Sequence, residues 1–262
     1  MMKLAWTQRF ILGLAVCVAA LSALYGSLRD KNVIPIMMYH HVQPLGHHEA
    51  NWVNPENFEK QMAFIQREGY QVLTLSDMVA RITSGKPLPR RVVVITLDDG
   101  YEDNYTNAYP VLRKYGFPAV IFVPSRFVDQ PGYLTAPQLR AMTQSGLIEI
   151  GSHTLTHQFL PSISPQQQWE QISRSRQELS RLLGKDVRFF CYPIGGYSEE
   201  IVELVKKAGY AAAFTTNRGK DRFNRNIYEL QRIRFNNHDS SFSMWIKLGG
   251  YYNLLRKTKN PN

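Results

Sequence analysis

Apolar residues along the chain fall into short blocks separated by polar stretches of helical period. "VIPIMMY" (33–39), "YQVLTL" (70–75), "VVVITL" (92–97), "PAVIFV" (118–123), "LIEIGS" (147–152), "VRFFCYP" (187–193), "YAAAFTT" (210–216) and "YELQRIRF" (228–235) read as strands. Between them, "PENFEKQMAFIQREG" (55–69) places Phe58, Met62 and Ile65 on one helical face and stops at Gly69. "SDMVARITSG" (76–85), "NAYPVLRKYG" (107–116), "TAPQLRAMTQSG" (135–146) and "SEEIVELVKKAG" (198–209) follow the same logic. "SPQQQWEQISRSRQELSRLLG" (164–184) is the longest, opened by Ser164 and Pro165 and closed by Gly184. Strands that are apolar on both faces and alternate with helices predict a parallel sheet covered by helices. Seven or eight such units predict a (β/α) barrel, closed or incomplete, rather than an open sheet.

The first residues break this pattern. Lys3 and Arg9 precede an uncharged apolar run, "FILGLAVCVAALSALYG" (10–26), and "SLRDKN" follows. Residues 1–28 therefore read as an N-terminal membrane anchor or signal segment. An uncleaved anchor with its amino end in the cytoplasm is the preferred reading, because the positive charges precede the span. Cleavage after a small residue, with secretion, is the alternative. Either way, the domain is expected outside the cytoplasm, in the periplasm or at the cell surface. The barrel is expected over 33–246, and 247–262 as a basic tail with Arg256, Lys257 and Lys259.

Composition narrows this picture modestly. Of 262 residues 44% are hydrophobic, enough for one large core rather than two small ones. Lys and Arg number 31 against 21 Asp and Glu, a net charge of +10 that suits polyanionic or cell-wall surroundings. No basic run with interleaved aromatics argues for nucleic acid, and no glycine-rich phosphate loop follows a strand to argue for a nucleotide cofactor. The two cysteines, Cys17 and Cys191, fall in the leader and the domain and make no disulfide framework.

The candidate chemistry sits where strands end, as it does in parallel α/β barrels. "VVVITL" runs into Asp98-Asp99-Gly100, "LIEIGS" into His153-Thr-Leu-Thr-His157, and "VIPIMMY" into His40-His41. His153 and His157 are spaced i, i+4, so one helical turn would aim both at one ion. Two imidazoles and a carboxylate suit Zn²⁺ and leave coordination positions free for water and substrate. In an extended chain Asp98 and Asp99 point in opposite directions, so one carboxylate can hold the metal while the other faces the water. A glycosidase also uses two carboxylates, but separated across the scissile bond by about 5–9.5 Å, which adjacent diverging side chains fit badly.

At these residues the sequence resembles the polysaccharide deacetylases with a NodB-homology domain, carbohydrate esterase family 4. "TLDDG" (96–100), "SHTLTH" (152–157) and "CYPIGGYS" (191–198) are similar to the family's first three motifs, and "IPIMMYHHV" (34–42) resembles the IcaB/PgaB-like branch. The resemblance spans most of residues 33–235. It implies a distorted (β/α) barrel and a metal-dependent N-deacetylase acting on N-acetylglucosamine units of an exported polysaccharide. Within that branch the substrate is poly-β-1,6-N-acetylglucosamine, a biofilm exopolysaccharide. A β-1,4 polymer of the peptidoglycan or chitin type, a catalytically silent glycan-binding relative, and a small-molecule amidohydrolase on the same barrel are the alternatives. The resemblance further implies Asp98 as general base, and Asp99, His153 and His157 as ligands of a divalent metal, Zn with Co or Ni as alternatives. A backbone N–H near Tyr192 would help hold the oxyanion.

Two positions depart from the family pattern. Cys191 stands where an Arg commonly pairs with the base, so Arg232, Arg188 or Arg234 must take that place, with Arg232 the first choice. The late His motif that supplies the general acid is not evident, which points to His40, with His238 in reserve. His41 is expected on the opposite side of its strand, and His47 and His48 in a solvated loop. Tyr101, Tyr192 and Tyr197 border the motifs as candidate glycan-stacking residues, as does Trp52.

Overall fold

The computed structural model describes residues 12–20, 22, 34–44, 51–86, 89, 91–216 and 226–249. Residues 12–20 are helical and exposed. The remainder of the proposed leader, the loop holding His47 and His48, and the tail beyond 249 lie outside the described residues. Among the described residues no helix is long and apolar enough to cross a membrane.

Residues from Ile34 onward form one compact unit. Its strands are β1 (Ile36–Tyr39), β2 (His41–Val42), β3 (Trp52–Val53), β4 (Gln71–Val72), β5 (Val92–Leu97), β6 (Ala119–Val123), β7 (Ile148–Ser152), β8 (Phe189–Cys191), β9 (Ala212–Thr215), β10 (Leu230–Gln231) and β11 (Ile233–Arg234). Helices α1 (Pro55–Arg67), α2 (Leu75–Thr83), α3 (Tyr109–Tyr115), α4 (Ala136–Gln144), α5 (Pro165–Leu183), α6 (Glu199–Lys207) and α7 (Ser241–Leu248) alternate with them. Polar side chains fix where most helices begin. Asn54, Thr74, Thr135, Ser164, Ser198 and Ser240 each accept a hydrogen bond from a backbone N–H of the first turn.

The main sheet runs β10-β9-β8-β7-β6-β5-β1-β11, with β4 added beside the start of β5. Every pairing in it is parallel. The expected last strand is broken in two. Leu230 and Gln231 pair with β9, whereas Ile233 and Arg234 pair with β1. The same few residues therefore serve both edges of the sheet and bend it into a near-barrel, with Arg232 at the break. Ile36, Val94, Val120, Phe122, Phe189 and Phe214 share the strand face of Asp98 and Arg232, whereas Met37, Tyr39, Val93, Ile95, Ile121 and Phe190 pack on the opposite face against the helices.

Two elements differ in extent from the sequence reading. Helix α7 runs past residue 246, the expected end of the barrel, and Lys247 and Leu248 are buried. The sequence around α7 lacks a clear apolar period, because a buried lysine replaces an apolar residue. Lys247 Nζ reaches Arg234 O at 2.8 Å and the Asp239 carboxylate at 2.6 Å. The strand expected at 70–75 shrinks to Gln71–Val72, because Thr74 caps α2 instead.

Candidate active site

Asp98, Asp99, His40, His41, His153 and His157 lie at the carboxyl ends of β1, β5 and β7. β5 ends at Leu97, and Asp98 N donates to Tyr39 O at 2.9 Å, extending the β1–β5 ladder by one bond. This bond sets Asp98 beside His40. Asp98 is 1% exposed. Its two oxygens receive Arg232 Nη1 and Nη2, each at 2.6 Å, in a bidentate pair. His40 Nε2 lies 3.9 Å from Asp98 Oδ2.

Asp99 turns the other way, for a reason other than strand alternation. Its φ is 71° and that of Gly100 is 67°, so the chain leaves the strand through two left-handed residues. Aspartate tolerates that conformation and glycine favours it. Asp99 Oδ1 comes to 3.4 Å from His153 Nε2 and 3.3 Å from His157 Nε2.

The His153–His157 pair is likewise not helical. Residues 154–156 form a turn, and Thr154 and His157 have φ of 69° and 57°. Gln171 of α5 secures the turn by accepting from Leu155 N at 3.0 Å and Thr156 N at 3.1 Å. Thr154 Oγ1 accepts from His157 N at 3.0 Å. A tight turn brings the two rings to 4.7 Å, an outcome the i, i+4 spacing expected from a helix.

These atoms fit a divalent cation. His153 Nδ1 faces the Cys191 carbonyl at 2.8 Å, which makes Nδ1 the donor and leaves the Nε2 lone pair toward Asp99. Asp99 Oδ1 is buried without a hydrogen-bond donor among the described residues. Acceptors thus face acceptors across a gap of about 3.4 Å, an arrangement a bound cation resolves. A second triplet, Asp98, His153 and Cys191, also falls within ligand reach of one another. It is the poorer candidate, because Arg232 already occupies both Asp98 oxygens and stands 3.0 Å from Cys191 Sγ.

The electrostatics separate the two aspartates from ordinary carboxylates. Burial alone would raise Asp98, but the charge and hydrogen bonds of Arg232 hold it below its usual value. Burial likewise opposes ionisation of Asp99, but its imidazole neighbours, His153 first, leave it below its usual value overall. Burial lowers His40, only partly countered by the two aspartates, so the resting imidazole is neutral. Cys191 is pushed up by burial and stays a thiol.

Of the three arginines considered, Arg232 is buried against Asp98 and packs over the Phe122 ring at 5.5 Å. Arg188 and Arg234 are exposed. His238 is exposed in the turn after Asn236. His41 points away from Asp98: its Nδ1 meets Asp103 Oδ2 at 2.6 Å and its ring stacks on Tyr101 at 3.5 Å. Tyr101 is half-buried between His41 and Tyr133 and borders Asp99. Trp52 also contacts the His41 ring, tilted by 47° at 4.8 Å.

Tyr192 and Tyr197 do not line a groove. Both are buried and stack on each other at 5.1 Å. Their hydroxyls donate to Tyr228 O at 3.0 Å and Glu229 Oε2 at 2.9 Å. Strand-end aromatics here fill the core rather than meet ligand. The Tyr192 N–H is also committed, to Phe214 O at 2.9 Å, so it is not free to hold an oxyanion.

Comparison with known proteins follows the same residues. A family model described as polysaccharide deacetylase matches residues 85–213. A putative polysaccharide deacetylase of Bacillus subtilis, YxkH, is 35% identical over 201 residues, covering 77% of this chain and 71% of the relative. The chain belongs to the polysaccharide deacetylase family. It is thereby a hydrolase of carbon–nitrogen bonds other than peptide bonds, in a family whose enzymes depend on a metal. A poly-β-1,6-N-acetyl-D-glucosamine N-deacetylase of Staphylococcus aureus is 28% identical over 208 residues, covering 74% of this chain and 71% of its own. The structure of a Streptococcus pyogenes deacetylase, PplD, in complex with acetate superposes with a TM-score of 0.76 at 28% identity, covering 82% of this chain and 97% of that one. IcaB from Ammonifex degensii shares the fold with a TM-score of 0.72 at 24% identity, over 83% of this chain and 97% of that one. The matched family segment contains both aspartates and both metal-site histidines; His40 and Arg232 lie outside it.

Proposed function

We propose that this protein removes acetyl groups from N-acetylglucosamine units of an exported polysaccharide, with poly-β-1,6-N-acetylglucosamine as substrate. The observation that carries the chemistry is the pairing of an Asp99–His153–His157 cation site with a buried, arginine-bound Asp98 next to it. The Staphylococcus aureus relative supports the polymer. The apolar run behind Lys3 and Arg9 supports a domain tethered to the membrane and working outside the cytoplasm.

Asp99, His153 and His157 hold the metal, Zn²⁺ in this reading, with Co²⁺ or Ni²⁺ as substitutes. When bound, it polarises the acetamide carbonyl and lowers the pKa of water. Asp98, ionised at working pH, accepts the proton of the attacking water. Arg232 fixes both Asp98 oxygens in the plane of its fork and keeps the carboxylate charged. His40 is neutral at rest and stands 3.9 Å from Asp98, so the proton gathered by the base passes to His40 and from there to the departing amine. Tyr101, half-exposed beside Asp99, contacts the sugar.

The test is acetate release and product mapping on defined β-1,6 and β-1,4 N-acetylglucosamine oligomers with Zn²⁺, Co²⁺ or Ni²⁺ added. Preferential release from β-1,6 oligomers is expected. Equal or better release from β-1,4 oligomers overturns the polymer assignment. Binding without any release identifies a silent glycan-binding relative, and activity confined to monomeric amides a small-molecule amidohydrolase.

A further inference from the structure

His40 is placed close to Asp98, yet among the described residues its ring makes no hydrogen bond that could hold it. Nδ1 is buried without a partner among the described residues, and Nε2 is 3.9 Å from the nearest carboxylate oxygen, beyond hydrogen-bond range. The position of the ring is therefore set by the backbone that carries it. That backbone leaves β1 at Tyr39 and is irregular for one residue before β2. Such a junction needs another element to fix it.

Besides the β3 side, where Asn51 O and Val53 O accept from His41 N and Gln43 N, the junction is fixed by the turn that follows the Asp98-Asp99-Gly100 corner. Asn104 Nδ2 donates to His40 O at 2.9 Å. Asp103 Oδ1 accepts from Val42 N at 3.1 Å, and Asn107 Nδ2 donates to Val42 O at 2.8 Å. Asn104 Nδ2 also donates to Asp103 Oδ1 at 2.8 Å, tying the set together. Asp103 and Asn104 are buried. Residues Asn104–Ala108 form a wide π-turn rather than an α-turn. Pro110, near the start of α3, has no N–H for the residue 106 carbonyl, and its ring crowds that carbonyl. The widened turn presents Asp103, Asn104 and Asn107 to one segment, residues 40–42.

We infer that Asp103, Asn104 and Asn107 are positioning residues that hold His40 against Asp98 through the backbone of residues 40–42, so that the proton relay to the leaving amine is built before substrate arrives. The inference rests on the deacetylase reading, in which His40 is the proton donor. It assigns the "DNYTN" stretch after "DDGYE" a task in the reaction. The same turn holds the His41 ring through Asp103 Oδ2, so one element sets both histidines.

The test compares two substrates. Loss of a proton donor slows an amide, whose amine cannot leave unprotonated, far more than an activated aryl acetate, whose phenolate leaves unaided. Asn104→Ala and Asn107→Ala should each lower kcat on an N-acetylglucosamine oligomer by about tenfold or more with little change in KM, while aryl acetate turnover stays within about twofold. His40→Ala should show the same split, larger. Asn107 is only half-buried, so its variant remains informative if Asn104→Ala folds poorly. The His40 ring signal, assigned by NMR with His40→Gln, should shift in both asparagine variants. Equal loss on both substrates, no loss on either, or no split in His40→Ala overturns the inference. A wild-type protein that cleaves the ester but no N-acetylglucosamine oligomer refutes the deacetylase reading instead. In that case an unshifted His40 signal in the asparagine variants overturns the positioning separately.

Discussion

Arg232 grips Asp98 with both nitrogens of its guanidinium fork at 2.6 Å, across 134 residues of sequence and with both side chains almost wholly buried. Removing one partner leaves an uncompensated charge in the barrel. Arg232→Met should therefore destabilise the fold by about 3–5 kcal/mol and abolish turnover. Arg232→Lys keeps a charge but not the fork and should recover stability only in part. The double variant Arg232→Met/Asp98→Asn should regain much of the lost stability. Urea denaturation checks this, and an Arg232→Met protein as stable as the parent would refute the pairing.

The two aspartates should separate by assay. Asp98→Asn should cut kcat by about 10²–10⁴-fold and leave zinc affinity near wild type. Asp99→Asn should weaken zinc by at least about 100-fold, more than loss of an outer-shell partner does. Calorimetric titration of the chelator-stripped protein reads both. Similar zinc affinities in the two variants would contradict the division of labour.

Much of this site is legible in the sequence, because its groups are adjacent to strand ends. "TLDDG" and "SHTLTH" give residue type and place at once. What is not legible is backbone handedness. Nothing in "SHTLTH" announces that Thr154 and His157 are left-handed, nor that Gln171, fourteen positions after His157, holds the turn. Tyr192 and Tyr197 misled for a related reason. An aromatic at a strand end packs or stacks according to the loop above it, and that loop folds both inward. Arg232 could be singled out only as one arginine among three. A break in a strand depends on which neighbours each half finds, and these are remote in sequence. Helix α7 went unread because its buried Lys247 is neutralised by a partner outside the helix.

Acid should loosen the protein through Asp98. Arg232 holds its folded pKa below the unfolded value of about 3.9. A carboxylate depressed in this way adds stability that is fully present above the unfolded value and is lost as pH falls through the folded one. The urea midpoint of metal-free protein should therefore fall below about pH 4, and Asp98→Asn should make that fall shallower. An identical slope in the variant would show that Asp98 contributes nothing to it.

Gly151 should tolerate no side chain. A Cβ there would lie at the edge of the Phe122 ring, 2.5 Å from Cε1 and slightly nearer to Cδ1, and press on Phe189 O at 3.2 Å. Phe122 in turn carries the Arg232 guanidinium at 5.5 Å. Gly151→Ala should cost about 1–3 kcal/mol by overpacking and lower kcat through Arg232. Thermal melting and turnover together check this; an unchanged melting temperature would show that Phe122 moves aside freely.

The broken strand at Leu230–Arg234 has a consequence in time as well as in space. A growing chain that has reached residue 216 already contains both aspartates, the metal-site histidines and His40, but no counter-charge for Asp98. The last strand to be synthesised is also the wedge between the first strand and the ninth. It supplies the guanidinium in the act of shutting the sheet. A chain cut short before residue 232 thus has neither the closed sheet nor the arginine partner of Asp98, so closure of the sheet and pairing of that carboxylate arrive together.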